Sequence, residues 1–387
     1  MVACAPAVPT ESLVEGNTAF ALNLYTRLSD TPGNLFFSPY SLSTCMAMTY
    51  AGARGETETQ MSQVLHFSTD QHQLHSAFGE LQRQLHNAEK QDGIQLDIAN
   101  ALWTRKGEPF LASFLKIAKN DYQASVNQAD FQTEAEVVTR EINRWVAQKT
   151  RDKIPDILSP DSVNRDTGLV LANAVYFKGT WASQFKTAAT SIQPFHLSAI
   201  ETRGASAPLM CQLEDVNFTE NNDLQAVELP YNGDQLSMMI LLPRQIDALG
   251  KLEQQLSPAF FARILAQMTK EKVEIFLPKF KLQSGFTLND TLMKMGMTNA
   301  FSPLNADFSG LNGRSGDLFI SGVFHKAWVK VDEEGTEAAA ATIVVAERAL
   351  ARPSPPVFRA DHPFIFLIRD TRSGSVLFLG RLADPRE

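Results

Sequence analysis

Cysteine is scarce in this chain: Cys4, Cys45 and Cys211 are its three, in 387 residues. An odd number at wide spacing, with no metal-ligand pattern, argues against a disulfide framework and a structural metal, so free thiols are expected. Long apolar runs are lacking too. The longest, such as 236–242, are strand-sized, and that one stops at Pro243; no transmembrane segment is expected. Basic residues are outnumbered, 35 Lys and Arg against 43 Asp and Glu, for a net charge of -8. Phosphate binding needs clustered cations, so nucleic acid is not expected as a partner. The first residues hold no apolar signal core. Val2-Ala3-Cys4 resembles the end of a bacterial lipoprotein cleavage box, but the match is too short to assign an anchor. The compartment stays open: cytoplasmic, or extracellular or lipid-anchored if a signal lies upstream. The two glycosylation triplets, at Asn217 and Asn289, do not decide it.

What is present is an ordinary folding composition, 44% hydrophobic and 20% charged. Helical spacing marks 17–28, with Phe20, Leu24 and Leu28 on one face. Ser38-Pro39 reads as a cap and first residue of a second helix, whose small residues Ala47 and Ala51-Gly52-Ala53 permit close approach of a neighbour. Residues 56–67, 73–89, 110–119 and 133–150 also read as helices. Strands are expected at 169–177, 225–230, 236–242, 273–282, 364–369 and 376–380. The first of these is apolar throughout, as in a strand covered on both faces. Helices return at 246–268 and 288–295. With helices first, strands later, no repeat and no long linker, the expectation is one α+β domain over 1–387, with 1–10 as a disordered tail.

The most unusual stretch is 332–346. Its alanines favour helix, while Thr342-Ile343-Val344-Val345 favours strand. Such a conflict suits a segment with more than one conformation. In a strand, alternate residues share a face. The even positions Thr336, Ala338, Ala340, Thr342, Val344 and Ala346 are all small or apolar, and the charges Glu337 and Glu347 fall on the odd face. The segment can therefore enter a sheet without burying a charge on its inner face.

Glu333-Glu334-Gly335-Thr336-Glu337-Ala338-Ala339-Ala340 resembles the hinge of an inhibitory serpin's reactive loop. Asn34-Leu35-Phe36-Phe37-Ser38-Pro39-Tyr40-Ser41-Leu42 resembles the start of the second serpin helix, and 171–181 the central strand of the family's main sheet. Leu277-Pro278-Lys279-Phe280, 306–310, His325-Lys326-Ala327, Asp361-His362-Pro363-Phe364 and Phe378-Leu379-Gly380-Arg381 follow in the family's order. The ordered set identifies the chain as resembling a serpin of inhibitory type.

The resemblance implies helices packed on three β-sheets and a metastable monomer whose loop, at 333–356, inserts as an extra strand after cleavage. A serine protease would be trapped as an acyl-enzyme before water releases it. Loop insertion of this kind is a known stored-strain switch, and the same exposed loop carries a tendency to polymerise. Glu333 to Ala340 would form the hinge, with Gly335 its point of backbone freedom. Ser38, Ser41, Asn173 and His325 would form the shutter that controls sheet opening. Trp181, Lys279 and Glu333 would form the breach where insertion begins, Lys279 pairing with Glu333. No cofactor or metal is implied. The alternative within the family is a non-inhibitory chaperone, carrier or storage protein; its members often carry bulky or charged residues at the positions that are Thr336 and the alanines here. A hydrolase built on Ser38, Asn173 and His325 has no nucleophile elbow to support it.

His72, His75 and His86 read as a solvated helix face. In the family it resembles, that helix can bind sulfated polysaccharides when basic; here 71–90 offers only Arg83 and Lys90 against Glu80 and Glu89, so no strong heparin site is expected. The family's register from Glu333 puts the scissile bond after Ala349, before Leu350, which suits an elastase-like enzyme. A loop one residue shorter puts it after Arg348, which suits a trypsin-like one. Counting back from Pro363-Phe364 reaches Arg352, whose following Pro353 makes a poor trypsin site.

Overall fold

A computed structural model describes residues 10–68, 70–89, 93–199, 205–335 and 354–386. Its helices are α1 (Thr10–Leu28), α2 (Pro39–Tyr50), α3 (Gly55–Leu65), α4 (Gln71–Glu89) and α5 (Ala112–Asn120). After them come α6 (Phe131–Lys149), α7 (Leu249–Gln255), α8 (Pro258–Gln267), α9 (Asn289–Lys294) and α10 (Ser309–Asn312). The strands are β1 (Leu35–Phe37), β2 (Ile94–Arg105), β3 (Ser125–Ala129), β4 (Leu169–Gly179) and β5 (Ser191–Phe195). Next come β6 (Ala205–Glu220), β7 (Leu224–Pro230), β8 (Leu236–Pro243), β9 (Thr269–Pro278) and β10 (Phe280–Thr287). The chain closes with β11 (Ile320–Val331), β12 (Val357–Arg359), β13 (Phe364–Asp370) and β14 (Val376–Leu382).

One sheet has five strands in the order β10-β11-β4-β2-β3. The other follows β1-β14-β13-β8-β7-β6-β9-β12, with β5 paired to β6. The second and third of the expected three sheets are thus hydrogen-bonded into one path. The joint is the β6–β7 hairpin, where Asn217–Glu220 meets Gln225–Glu228.

The strand β4 is buried on both faces, as its unbroken apolar run requires. Leu169, Leu171, Val175 and Phe177 point into the main core, where Phe177 meets Phe378 of β14. Val170, Ala172, Ala174 and Tyr176 point the other way, into the layer packed under α6. At the end of α2 the small residues work as expected: a Cβ on Gly52 would fall 2.2 Å from the Leu311 side chain.

Several expectations need correction. Helix α1 begins at Thr10, which the expected tail included; residues 1–9 lie outside the described residues. The helix expected over 246–268 is two, because Ser257 caps α8 through the Phe260 N–H and Pro258 takes its first position. The strand expected over 273–282 is divided at Pro278-Lys279: β9 belongs to the nine-stranded sheet and β10 to the five-stranded one. The first half of the chain also holds two strands of the main sheet, β2 and β3. β2 opens with strict alternation, Ile94-Gln95-Leu96-Asp97-Ile98, a strand signal that the sequence reading missed. His75 is not on a solvated face. It is buried, its Nδ1 2.6 Å from the Tyr122 hydroxyl, and burial pushes its pKa down to about 4.

Candidate functional site

Strands β4 and β11 lie side by side and parallel at the centre of the five-stranded sheet. Their ladder runs from Ile320↔Leu169 to Val329↔Phe177. Beyond it β11 continues beside β10, and β4 beside β2, with no rung between β4 and β11. The seam between β4 and β11 is thus open at one end, and parallel pairing is somewhat weaker per residue than antiparallel.

At the open end sits the turn Asp332–Gly335, closed by Gly335 N–H to Asp332 O at 3.1 Å and Asp332 N–H to Gly335 O at 3.2 Å. Trp181, just past β4, holds it twice: Nε1–H donates to Asp332 O at 3.0 Å and the backbone N–H to Glu334 O at 3.0 Å. Trp181 is itself fixed by stacking on Tyr231, centroids 4.6 Å apart. Glu333 is buried. Lys279 Nζ lies 2.6 Å from its carboxylate, Thr190 Oγ1 donates to it at 2.8 Å, and the Phe185 N–H donates to its carbonyl at 2.9 Å. Burial pushes the Glu333 carboxyl up, but the bonds from Lys279 and Thr190 outweigh it and hold the group below its ordinary range. Gly335 has φ +104°, and a Cβ there would fall 2.2 Å from Gly179 O. Only glycine fits, on both counts.

Halfway along the seam lies a row of buried polar groups. The register sets His325 of β11 beside Asn173 of β4, and Asn173 beside Asn100 of β2. The Ser38 N–H donates to His325 Nε2 at 3.0 Å. That leaves the ring proton on Nδ1, which donates to Asn173 Oδ1. Asn173 Nδ2 donates to Ser41 Oγ at 2.5 Å and to Asn100 Oδ1. Ser38 Oγ accepts from the Ser41 N–H at 3.2 Å and donates to Leu377 O at 2.6 Å. It is thus a helix cap tied to β14, not an exposed nucleophile. The structure therefore brings Ser38, Ser41, Asn173 and His325 together, and adds Asn100, which the sequence reading missed. A lone Asn within Ile98-Ala99-Asn100-Ala101-Leu102 was the available signal.

The seam is also covered. Residues 150–168, between α6 and β4, are tied on the β11 side by Lys326 Nζ to Asp156 at 2.5 Å, and on the β2 side by Arg151 to Asp97 at 3.1 Å. Any strand entering the seam must displace or slip beneath this crossing.

Burial pushes His325 down to about 3, against an ordinary value near 6.5. The unfolded chain therefore binds the extra proton between those values. The stability tied to this residue is complete above about pH 6.5 and drains as pH falls toward 3. Between pH 7 and 5 the loss is about 2 kcal/mol. His75, depressed for the same reason, adds a similar term. The urea midpoint should fall over this range, and His325→Gln should remove a clear part of the fall; an undiminished slope in that variant would refute the assignment.

Of the other expected site residues, Thr336, Glu337, Ala338, Ala339, Ala340, Arg348, Ala349, Leu350 and Arg352 lie outside the described residues. On α4, Arg83 pairs with Glu80 at 2.8 Å. Among the described residues no cluster of His, Cys, Asp and Glu is arranged to hold a metal, and no helix is long and apolar enough to cross a membrane. Cys45 is buried, its thiol pushed up to about 12.

The family model described as Serpin (serine protease inhibitor) matches residues 15–385. A leukocyte elastase inhibitor of Xenopus laevis is 41% identical over 383 residues, covering 97% of this chain and all of its own. The leukocyte elastase inhibitor of Homo sapiens is 39% identical over 387 residues with the same coverage. An Arabidopsis serpin, solved in its native stressed conformation, superposes with a TM-score of 0.85 at 30% identity, covering 98% of this chain and 100% of its own.

Proposed function

The chain belongs to the serpin family, and on that premise we propose that it is a single-use inhibitor that traps a serine protease as an acyl-enzyme. The observation that carries this reading is the parallel β4–β11 seam, open at the turn 332–335 from which the small-residue segment departs. The protease serine attacks the carbonyl of the residue before the cut. The peptide C–N bond breaks, the new amine leaves with the downstream chain, and the upstream segment stays esterified to the enzyme. Freed at one end, that segment enters the seam and draws the protease with it. Displacing catalytic groups by even an ångström slows the deacylating attack of water. The chain is consumed and does not turn over, acts as one domain and a monomer, and needs no cofactor.

The roles follow the same lines. Glu333 to Ala340 form the hinge. Trp181, Lys279 and Glu333 form the breach where insertion begins, Lys279 pairing with Glu333. Ser38, Ser41, Asn173 and His325 latch the seam at mid-length. The cut falls between Ala349 and Leu350, with Arg348 as the alternative residue before it. The names of the relatives weigh toward an elastase-like target, in keeping with Ala349, and a trypsin-like enzyme fits Arg348.

Mixing the protein with pancreatic elastase and, separately, with trypsin tests the reading. A band near the summed mass should survive denaturation, and mass spectrometry of the released C-terminal peptide should begin it at Leu350 for elastase or Ala349 for trypsin. Cleavage without adduct by both enzymes, and no gain in heat stability of the cleaved chain, would favour the non-inhibitory alternative.

A further inference from the structure

In a chain whose net charge is -8, lysines gather at the open end of the seam. Residues two apart on a strand share a face, and the register carries that face across the sheet. Trp328 of β11 lies beside Tyr176 of β4 and opposite Gln283 of β10. Two residues further toward the open end stand Lys178, Lys330 and Lys281, with Lys330 opposite Lys281. Lys178 follows the last β4–β11 rung, so it and Lys330 flank the unpaired mouth.

The covering segment 150–168 adds a fourth lysine. Lys153 Nζ lies 5.5 Å from the centroid of the Trp328 ring and 6.0 Å from that of Tyr176. Lys281 Nζ lies 5.7 Å from the Trp328 centroid. The two rings are buried, 5.0 Å apart. A ring face attracts a cation and so places it. An ammonium has three donors, and a ring cannot occupy them all; both lysines are exposed. Nearby carboxylates are already taken. Asp97 pairs with Arg151 at 3.1 Å, Asp156 with Lys326 at 2.5 Å and Asp332 with Lys330 at 2.8 Å. Among the described residues neither Lys153 nor Lys281 has a carboxylate partner. Two uncompensated ammoniums are thus placed on one buried aromatic pair, one from the covering segment and one from the sheet.

We propose that Lys153, Lys281 and Lys330 form a binding site for a small multivalent oxyanion of the phosphate type, which fastens the covering segment to β10 and β11. The anion accepts charge-assisted hydrogen bonds from both elements at once. It binds the form in which the segment lies over the seam. A strand that enters lifts or displaces that segment and parts the lysines, so the bound anion opposes insertion. That consequence rests on the inhibitor reading above; the binding does not.

The test titrates the intact protein with inorganic pyrophosphate at constant ionic strength, following the heat of binding and the melting temperature. Inhibitor molecules consumed per protease are then counted for pancreatic elastase and for trypsin, with and without saturating pyrophosphate. The variants are Lys153→Gln/Lys281→Gln and, as control, Lys294→Gln, exposed on α9. Pyrophosphate should raise the parent's melting temperature beyond the effect of sodium chloride at equal ionic strength, because a ligand of the folded form stabilises it. The double variant should bind about tenfold more weakly or worse, having lost two charge-assisted contacts, and Lys294→Gln should match the parent. Saturating pyrophosphate should raise the parent's consumption per protease about twofold and leave that of the double variant unchanged. No melting shift beyond that of chloride, or equal binding by the double variant, would overturn the site. Binding that the double variant loses, with consumption unchanged in the parent, would overturn the hold on the seam. Absence of any adduct from the parent, with binding intact, would overturn the inhibitor reading and leave the site standing.

Discussion

Arginine in place of Thr336 is expected to abolish the covalent adduct while leaving cleavage intact. The even-numbered residues of the segment, from Thr336 to Ala346, share one face of a strand and carry no charge. A strand placed between β4 and β11 sets alternate residues against the layer of Leu171, Val175 and Phe177, all fully buried. An unpaired guanidinium there costs several kcal/mol. Each 1.4 kcal/mol is a factor of ten in rate, so insertion slows by about a hundredfold or more. Hydrolysis of the acyl-enzyme then finishes first, and the inhibitor becomes a substrate. Glu337→Arg is the control. It lies on the odd face, which already carries a charge, so its adduct should persist. Gel densitometry after mixing with excess inhibitor reads both. Equal adduct yields from Thr336→Arg and the parent would refute the insertion reading.

The second large effect is expected from Asn173→Ala. Asn173 is fully buried, accepts from His325 and donates to Ser41 and Asn100. Removing it strands the His325 Nδ1–H without an acceptor and leaves a cavity at the centre of the seam. An orphaned buried polar group costs about 1–3 kcal/mol, and the lost volume adds to it. A fall of roughly 3–4 kcal/mol in unfolding free energy is expected. Because this bond also crosses between β4 and β11, the variant should admit strands more readily. Incubation at moderate temperature should yield polymers or a heat-resistant form sooner than for the parent, as native gels and melts would show. Unchanged stability and unchanged polymerisation together would remove Asn173 from the latch.

Periodicity and motif order carried much of this molecule. The apolar run 169–177 announces a strand buried on both faces, and Ser38-Pro39 announces a capped helix, because both follow from local chemistry that a short window contains. The parity of 336–346 is local in the same sense, since side-chain alternation in a strand needs no knowledge of its neighbours. The motif order was enough to point to the family.

Tertiary structure alone decided the rest. Asn100, Asn173 and His325 are separated by 73 and 152 residues. They form one row only because β2 runs antiparallel and β11 parallel to β4 in a particular register. His75 looked like part of a polar helix face until Tyr122 closed over it. Lys153 and Lys281 meet at Trp328 only because the covering segment crosses the paired strands β10 and β11. Side-chain pattern reports which face a residue occupies, whereas the residue opposite it is set by long-range pairing and packing of the whole chain. Much of the candidate site lies in those pairings, between strands that the sequence leaves far apart.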